Sequence, residues 1–96
     1  MKKIVVVGSG FGGLSIASKL KAEKFDVTLI EKHKDLGGRA RTFVHNDFKY
    51  DAGPTVITAP YLIDELFSAH GEKLSDYVNL LPVKPWYRFL FDSGDY

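Results

Sequence analysis

The fold is decided by Ile4-Val5-Val6-Val7-Gly8-Ser9-Gly10-Phe11-Gly12-Gly13, near the start of the chain. The first four residues are a β-branched run without alternation, which is typical of a parallel strand buried on both faces. Glycines then predict a tight turn into a helix. Gly8 permits the turn, Gly10 lets backbone approach a diphosphate, and Gly13 lets the helix pack on the strand. The stretch therefore predicts a dinucleotide-binding turn.

The predicted helix begins at Phe11 and runs to about Lys24. Its first turn has no Asp or Glu, so its free N–H groups and positive dipole end remain available to an external anion. A helix of about twelve residues spans roughly 18 Å, close to the roughly 17 Å of a five-residue strand. The chain can therefore return and lay a second strand beside the first.

The second predicted strand is Val27-Thr28-Leu29-Ile30, and Glu31 ends it. Glu31 follows Gly13 by eighteen positions, near the spacing of about 20 at which a carboxylate accepts a hydrogen bond from a dinucleotide ribose. A GxGxxG pattern alone is weak evidence. Here it follows a buried strand, opens a helix and precedes an acid at the end of a second strand. These residues predict an α/β fold with a Rossmann-like βαβ unit and a parallel sheet.

Length and composition favour a soluble globular unit, with 96 residues, 45% hydrophobic content and a net charge of +1. The interspersed charges give no argument for nucleic-acid binding. The chain has no cysteine and therefore no disulfide or thiolate metal site, and the spacing of its three histidines predicts no metal site. The apolar runs are shorter than a spanning helix or a signal peptide requires, so we expect a cytoplasmic location.

The C-terminal end predicts a truncated sequence. A doubly wound sheet needs several βαβ units, and the pattern shows one. The chain ends in Asp92-Ser93-Gly94-Asp95-Tyr96, a turn composition with no strand after it. We therefore expect the N-terminal part of a larger protein, which would not fold cooperatively by itself.

Beyond Glu31 the chain continues Lys32-His33-Lys34-Asp35-Leu36-Gly37-Gly38-Arg39. This segment resembles the flavin-binding signature of the FAD-dependent amine oxidase and phytoene desaturase superfamily. The resemblance implies that FAD is the cofactor, that Gly37 and Gly38 bring backbone to it, and that Arg39 approaches its pyrophosphate. A guanidinium fork suits phosphate oxygens. The alternative is a surface turn with solvated basic residues.

A second stretch, Asp51-Ala52-Gly53-Pro54-Thr55, resembles a motif of bacterial-type phytoene desaturases. In the broader superfamily the corresponding loop runs close to the flavin. Gly53 would allow close backbone approach and Pro54 would stiffen the loop, although an ordinary strand-to-helix connection is the alternative. We expect Asp51 to bond its own loop rather than to act in catalysis. The cofactor-binding residues predicted in total are Gly8, Gly10, Phe11, Gly12, Gly13, Glu31, Lys32, Gly37, Gly38, Arg39, Gly53, Pro54 and Thr55.

The remaining sequence predicts short elements. A hairpin turns at Asn46-Asp47, and a helix opens at Pro60 and closes at His70-Gly71. Residues 74–77 suggest a further helical turn, and residues 78–81 a short strand.

An aromatic strand is predicted at residues 86–91, with alternating side chains on two faces. One face carries Trp86, Arg88 and Leu90, and the other Tyr87, Phe89 and Phe91. It would form a wall of an apolar substrate cavity or pack the core of a substrate-domain sheet. The run to Gly94 again resembles phytoene desaturases, so the resemblance covers essentially the whole chain. Residues 1–58 would be the FAD-binding part, and residues 59–96 would begin a substrate-domain insertion with antiparallel strands.

The resemblance implies an FAD-dependent oxidoreductase that desaturates C–C bonds of a long, lipophilic polyene of phytoene or diapophytoene type in carotenoid biosynthesis. The insoluble substrate implies peripheral contact with the inner membrane. Any catalytic acid or base is expected outside these 96 residues.

Three alternatives remain open. A carotene isomerase or an amine oxidase of the same superfamily would share these motifs. An NAD-dependent dehydrogenase would share the glycine turn and the βαβ pattern, but Gly37-Gly38-Arg39 after Glu31 argues for FAD. A lipid carrier similar to Rab GDP-dissociation inhibitors would bind no flavin. Those carriers depart from the third glycine and from Gly-Gly-Arg, whereas this chain keeps Gly13 and Arg39.

Overall fold

The computed structural model describes residues 1–53, 55–85 and 87–95. The chain begins with a βαβ unit that comprises β1 (Lys3–Val7), α1 (Phe11–Ala22) and β2 (Asp26–Ile30). The two strands pair in parallel along all five residues of each, which confirms the predicted parallel unit. Helix α1 ends slightly earlier than predicted, because the backbone at Lys24 turns into the left-handed region with φ of 70°.

Helix α1 covers one face of this sheet, and the opposite face is open. Ile4 and Val6 are half-buried, and the Val6 side chain lies beneath the start of α1. Val5 and Val7 are 58% and 80% exposed. The prediction that β1 is buried on both faces is therefore wrong for this structure. The β-branched composition suits a strand covered on both sides. In residues 1–53, 55–85 and 87–95, however, α1 is the helix that packs on this sheet, and it covers one face.

The predicted hairpin is confirmed by β3 (Thr42–His45) and β4 (Phe48–Asp51), which pair in antiparallel fashion. Its turn is made by Asn46 and Asp47 with φ of 49° and 66°. Asn and Asp tolerate this left-handed conformation better than other non-glycine residues, and two such residues in succession suit a two-residue hairpin.

The predicted helix after the hairpin is α2 (Pro60–Ser68), with proline in its first turn. A single 3-10 turn follows at Leu74–Asp76, and Leu74 is buried there. The Phe67 and Tyr77 rings pack with their centroids 5.2 Å apart. Both predicted helical elements are confirmed.

The segment that follows α2 contacts α1 through the side chain of His70. Nε2 of His70 lies 3.0 Å from the Ser18 carbonyl oxygen and 3.1 Å from the Ser18 hydroxyl. A cavity of 570 Å³ lies between the two helices, lined largely by apolar residues.

The C-terminal part differs most from the sequence prediction. Residues 78–81 form no strand, and in the described part of the aromatic run, residues 87–91, the regular structure is β5 (Leu90–Phe91). A strand needs a partner for its backbone N–H and C=O groups, and proline at 82 and 85 supplies no N–H. Strand β6 (Gly94–Asp95) pairs with β5, so two residues of the stretch predicted as a turn form a short strand.

The predicted alternation of the aromatic run is nevertheless visible in its ring contacts. Ring centroids are 6.2 Å apart for Tyr87 and Phe89, and 6.4 Å apart for Phe89 and Phe91. These three residues share a face as predicted. Trp86, which was predicted on the opposite face, lies outside the described residues.

Candidate functional site

The loop between β1 and α1 is fixed by backbone contacts. Gly8 donates its N–H to the Ile30 carbonyl oxygen at 2.7 Å, and its φ of 99° lies in the left-handed region that favours glycine. The Leu14 N–H donates to the Gly10 carbonyl oxygen at 2.9 Å. A Cβ added at Gly13 would collide with the Gly8 carbonyl oxygen. The loop and the helix start are therefore in direct backbone contact.

The N-terminus of α1 is open toward this loop. Gly10 is the N-cap and provides no side-chain hydrogen bond, and the first turn contains no acid. Because the first N–H groups of a helix lack intrahelical partners, these donors and the positive end of the dipole are available to an anion. A Cβ added at Gly10 would meet no atom within 4 Å. The protein therefore leaves the side of Gly10 on which a Cβ would stand open.

Glu31 lies just beyond β2 and turns its carboxylate back to the loop. Its Oε1 accepts the Ser9 N–H at 2.9 Å and the Ser9 hydroxyl at 2.7 Å, and its Oε2 accepts the His33 N–H at 2.8 Å. These donors lower the pKa of Glu31 to about 2, with the His33 N–H contributing most, then the Ser9 hydroxyl and the Ser9 N–H. The carboxylate is therefore ionised and oriented at neutral pH. Its hydrogen bond to a ribose stays a prediction.

Ser9 is the site residue that sequence reasoning missed. Its side chain is completely buried, and its carbonyl oxygen accepts the Gly37 N–H at 2.8 Å. With its two hydrogen bonds to Glu31, Ser9 joins the first glycine loop, the end of β2 and the second glycine loop. The available signal was a small hydroxyl residue inside the first glycine motif together with an acid at the end of the next strand.

The second glycine loop packs on the first. Gly37 has φ of 109°, and a Cβ added at Gly38 would lie 3.0 Å from the Gly10 Cα. Arg39 follows in a 3-10 turn (Gly38–Ala40) and its side chain is exposed. The structure therefore brings the Gly-Gly-Arg segment beside the open N-terminus of α1.

The third predicted segment reaches this loop through backbone contacts. The Ala52 N–H donates to the Arg41 carbonyl oxygen at 3.0 Å, and a Cβ added at Gly53 would collide with the Arg39 carbonyl oxygen. Thr55 lines a cavity of 780 Å³ formed by residues 55–58, 60 and 79–83. Pro54 lies outside the described residues.

Three further predicted residues are exposed at the edge of this arrangement, namely Phe11, Gly12 and Lys32. Phe11 also lines the cavity between α1 and α2. In residues 1–53, 55–85 and 87–95, no cluster of three or more His, Asp and Glu residues could hold a metal ion. The same part of the chain contains no helix with the length and apolar character needed to cross a membrane.

The strand–loop–helix geometry defines a dinucleotide-binding domain. Residues 6–70 match the NAD(P)-binding Rossmann-like domain family, and the chain belongs to that family.

The relatives confirm the predicted resemblance. The chain is 49% identical over 94 residues to the lycopene-forming phytoene desaturases of Pseudescherichia vulneris and Pantoea ananas. It is 37% identical over 93 residues to the 4,4'-diapolycopene oxygenase of a Methylomonas species. These alignments cover 98%, 98% and 97% of this chain, respectively, and 19% of each relative. The chain therefore spans about a fifth of the length of these relatives.

Proposed function

We propose that the intact protein is an FAD-dependent oxidoreductase that desaturates C–C bonds of a long polyene of phytoene or diapophytoene type. The observation that carries this proposal is the packing of Gly38 on Gly10, which joins the Gly-Gly-Arg loop to the open N-terminus of α1. The 49% identity to two phytoene desaturases supports the substrate class.

The residues of the site fit a dinucleotide. The position that a Cβ would take at Gly10 has no protein atom within 4 Å apart from its chain neighbours, and the first-turn N–H groups of α1 suit the diphosphate. The ionised Glu31 carboxylate suits a ribose hydroxyl, and Arg39 suits a phosphate oxygen. FAD is favoured over NAD because the chain carries the second glycine loop with its arginine, which resembles the flavin-binding signature.

When bound, FAD supplies a two-electron acceptor for the hydride that leaves the substrate carbon. The second hydrogen would leave the neighbouring carbon as a proton, which balances the formation of the new C=C bond. The residues of this chain bind and orient the dinucleotide. Helix α1 would neutralise diphosphate charge, and Glu31 would hold the adenosine ribose.

The substrate class has a consequence for location. A long polyene dissolves in lipid rather than in water, because its transfer to an apolar phase is favourable. We therefore propose a cytoplasmic protein in peripheral contact with the inner membrane.

The test is purification of the intact protein, identification of its cofactor and product analysis. We expect a visible flavin spectrum, release of FAD on denaturation, and more conjugated products from phytoene or diapophytoene. Anaerobic addition of substrate should bleach the flavin absorbance. Retention of NAD(P) in place of FAD, or failure to bind any dinucleotide, would overturn the cofactor assignment.

The same product analysis separates the alternatives. The identity to a 4,4'-diapolycopene oxygenase favours oxygenation as a second candidate, and products with added oxygen would support it. Products of unchanged mass would support an isomerase, and conversion of an amine would support an amine oxidase. A lipid carrier would bind polyene but no flavin.

A further inference from the structure

Ser9 makes more contacts within the site than a residue between two motif glycines requires. The Ser9 backbone N–H could donate to Glu31 whatever side chain stood at this position. Its hydroxyl adds a second donor to the same oxygen, Oε1 of Glu31, at 2.7 Å. The Ser9 side chain is fully buried and Glu31 is half-buried, so this hydrogen bond is shielded from water on the side of its donor.

The acceptor capacity of Glu31 is nearly filled by the protein. An ionised carboxylate offers about four lone-pair positions, two on each oxygen. Ser9 occupies both positions on Oε1, and the His33 N–H occupies one on Oε2. One position on Oε2 remains for a ligand.

We propose that Ser9 is a positioning residue of the dinucleotide site, whose hydroxyl anchors Oε1 of Glu31 and leaves Oε2 to accept a single hydrogen bond from the ribose. This inference rests on the proposed dinucleotide-binding function. Without the hydroxyl, the carboxylate keeps two donors and can rotate, so the ribose meets a less ordered acceptor. The Ser9 carbonyl oxygen also accepts the Gly37 N–H. Ser9 therefore fixes the position of the Glu31 carboxylate relative to both glycine loops.

The test is a double-mutant cycle on the intact protein, with the dissociation constant of FAD measured by flavin fluorescence on apoprotein. Ser9→Ala should weaken binding roughly three- to tenfold, the effect of one hydrogen bond. In a Glu31→Ala background, which removes both acceptor oxygens, Ser9→Ala should change the constant by less than about twofold, because the hydroxyl acts through the carboxylate. Ser68→Ala is the matched control. It removes a hydroxyl that donates to the Glu65 carbonyl oxygen in α2, and it should leave FAD binding unchanged.

A pH profile separates positioning from simple packing. The Ser9 hydroxyl helps to lower the pKa of Glu31, so this pKa should be higher in Ser9→Ala. As the pH is lowered, the variant should therefore lose FAD at a higher pH than the wild type does. Ser9→Cys keeps the side-chain size with a weak donor and should behave like Ser9→Ala, which keeps the proposal testable if one variant folds poorly.

The outcomes distinguish this inference from the proposed function. Wild-type protein that binds no dinucleotide would overturn the proposed function. Wild-type protein that binds FAD, with equal losses from Ser9→Ala in the presence and absence of the Glu31 carboxylate, would overturn the role of Ser9 alone. Loss of FAD at the same acidic pH in Ser9→Ala and in the wild type would also overturn the role of Ser9.

Discussion

Gly10→Ala is expected to weaken binding of the cofactor while keeping the fold. Gly10 has φ of −67° and ψ of 177°, an extended conformation that alanine adopts freely, and the new Cβ would meet no protein atom within 4 Å. Loss of freedom in the unfolded chain stabilises the variant by about 0.4–1 kcal/mol. Alanine is a poorer N-cap than glycine by a similar amount, about 0.5–1 kcal/mol. The two effects offset, so the free energy of unfolding of the apoprotein should change by less than about 1 kcal/mol.

The same methyl group should be costly to the bound state. It projects from the N-cap of α1, beside which a diphosphate held by the first-turn N–H groups would lie in contact with backbone. Forcing one methyl group into a well-packed contact costs roughly 1–3 kcal/mol. The dissociation constant of FAD should therefore rise roughly five- to hundredfold.

The assay pairs FAD titration with thermal unfolding of the apoprotein, and Gly13→Ala provides the contrast. Its Cβ would collide with the Gly8 carbonyl oxygen, so this variant should lose both apoprotein stability and FAD binding. Unchanged FAD affinity in Gly10→Ala would refute the assignment of the diphosphate to this space. An apoprotein destabilised as much as Gly13→Ala would refute the geometric argument.

Three further predictions concern acidity, loop packing and folding. Because hydrogen bonds lower the pKa of Glu31 to about 2, its contacts should persist at neutral pH and fail only as pH falls from the ordinary pKa of a glutamate toward 2. Glu31→Gln should raise the dissociation constant of FAD roughly tenfold at pH 7, and an unchanged constant would contradict the role of Glu31 in binding. In the intact protein, Gly53→Ala should lower the free energy of unfolding by roughly 1–3 kcal/mol, because its Cβ would strike the Arg39 carbonyl oxygen. An unshifted Tm of the intact protein would contradict this prediction. Residues 1–96 alone should show no cooperative calorimetric transition, since Val5 and Val7 are exposed on an open sheet face. A sharp two-state melt of these residues would disprove this prediction.

The sequence predicted the elements that depend on local rules. The parallel βαβ unit follows from the β-branched run of β1, the glycine turn and the length of α1. The hairpin follows from Asn46 and Asp47, which tolerate positive φ, and α2 follows from proline at its first position. In each case the deciding residues lie within a few positions of the element that they define.

The failed predictions depended on neighbours distant in sequence. A β-branched strand such as β1 is buried on both faces only when two layers cover it, and its own pattern cannot supply the second layer. Residues 78–81 have apolar content suited to a strand but no partner strand in residues 1–53, 55–85 and 87–95. Propensity is a weak guide where hydrogen-bonding partners decide the outcome.

The site itself was predicted as three separate motifs, whereas the structure makes them interdependent. Ser9 bonds Glu31 through its N–H and hydroxyl and holds Gly37 through its carbonyl oxygen, and Gly38 packs on Gly10. A pattern such as GxGxxG leaves the residue between its first two glycines unspecified, so it carries no information on this coupling. Residues that share one hydrogen-bonded network have non-additive mutational effects. Changes at Glu31 and at Gly37 should therefore not act independently on cofactor binding, because each disturbs the same buried serine.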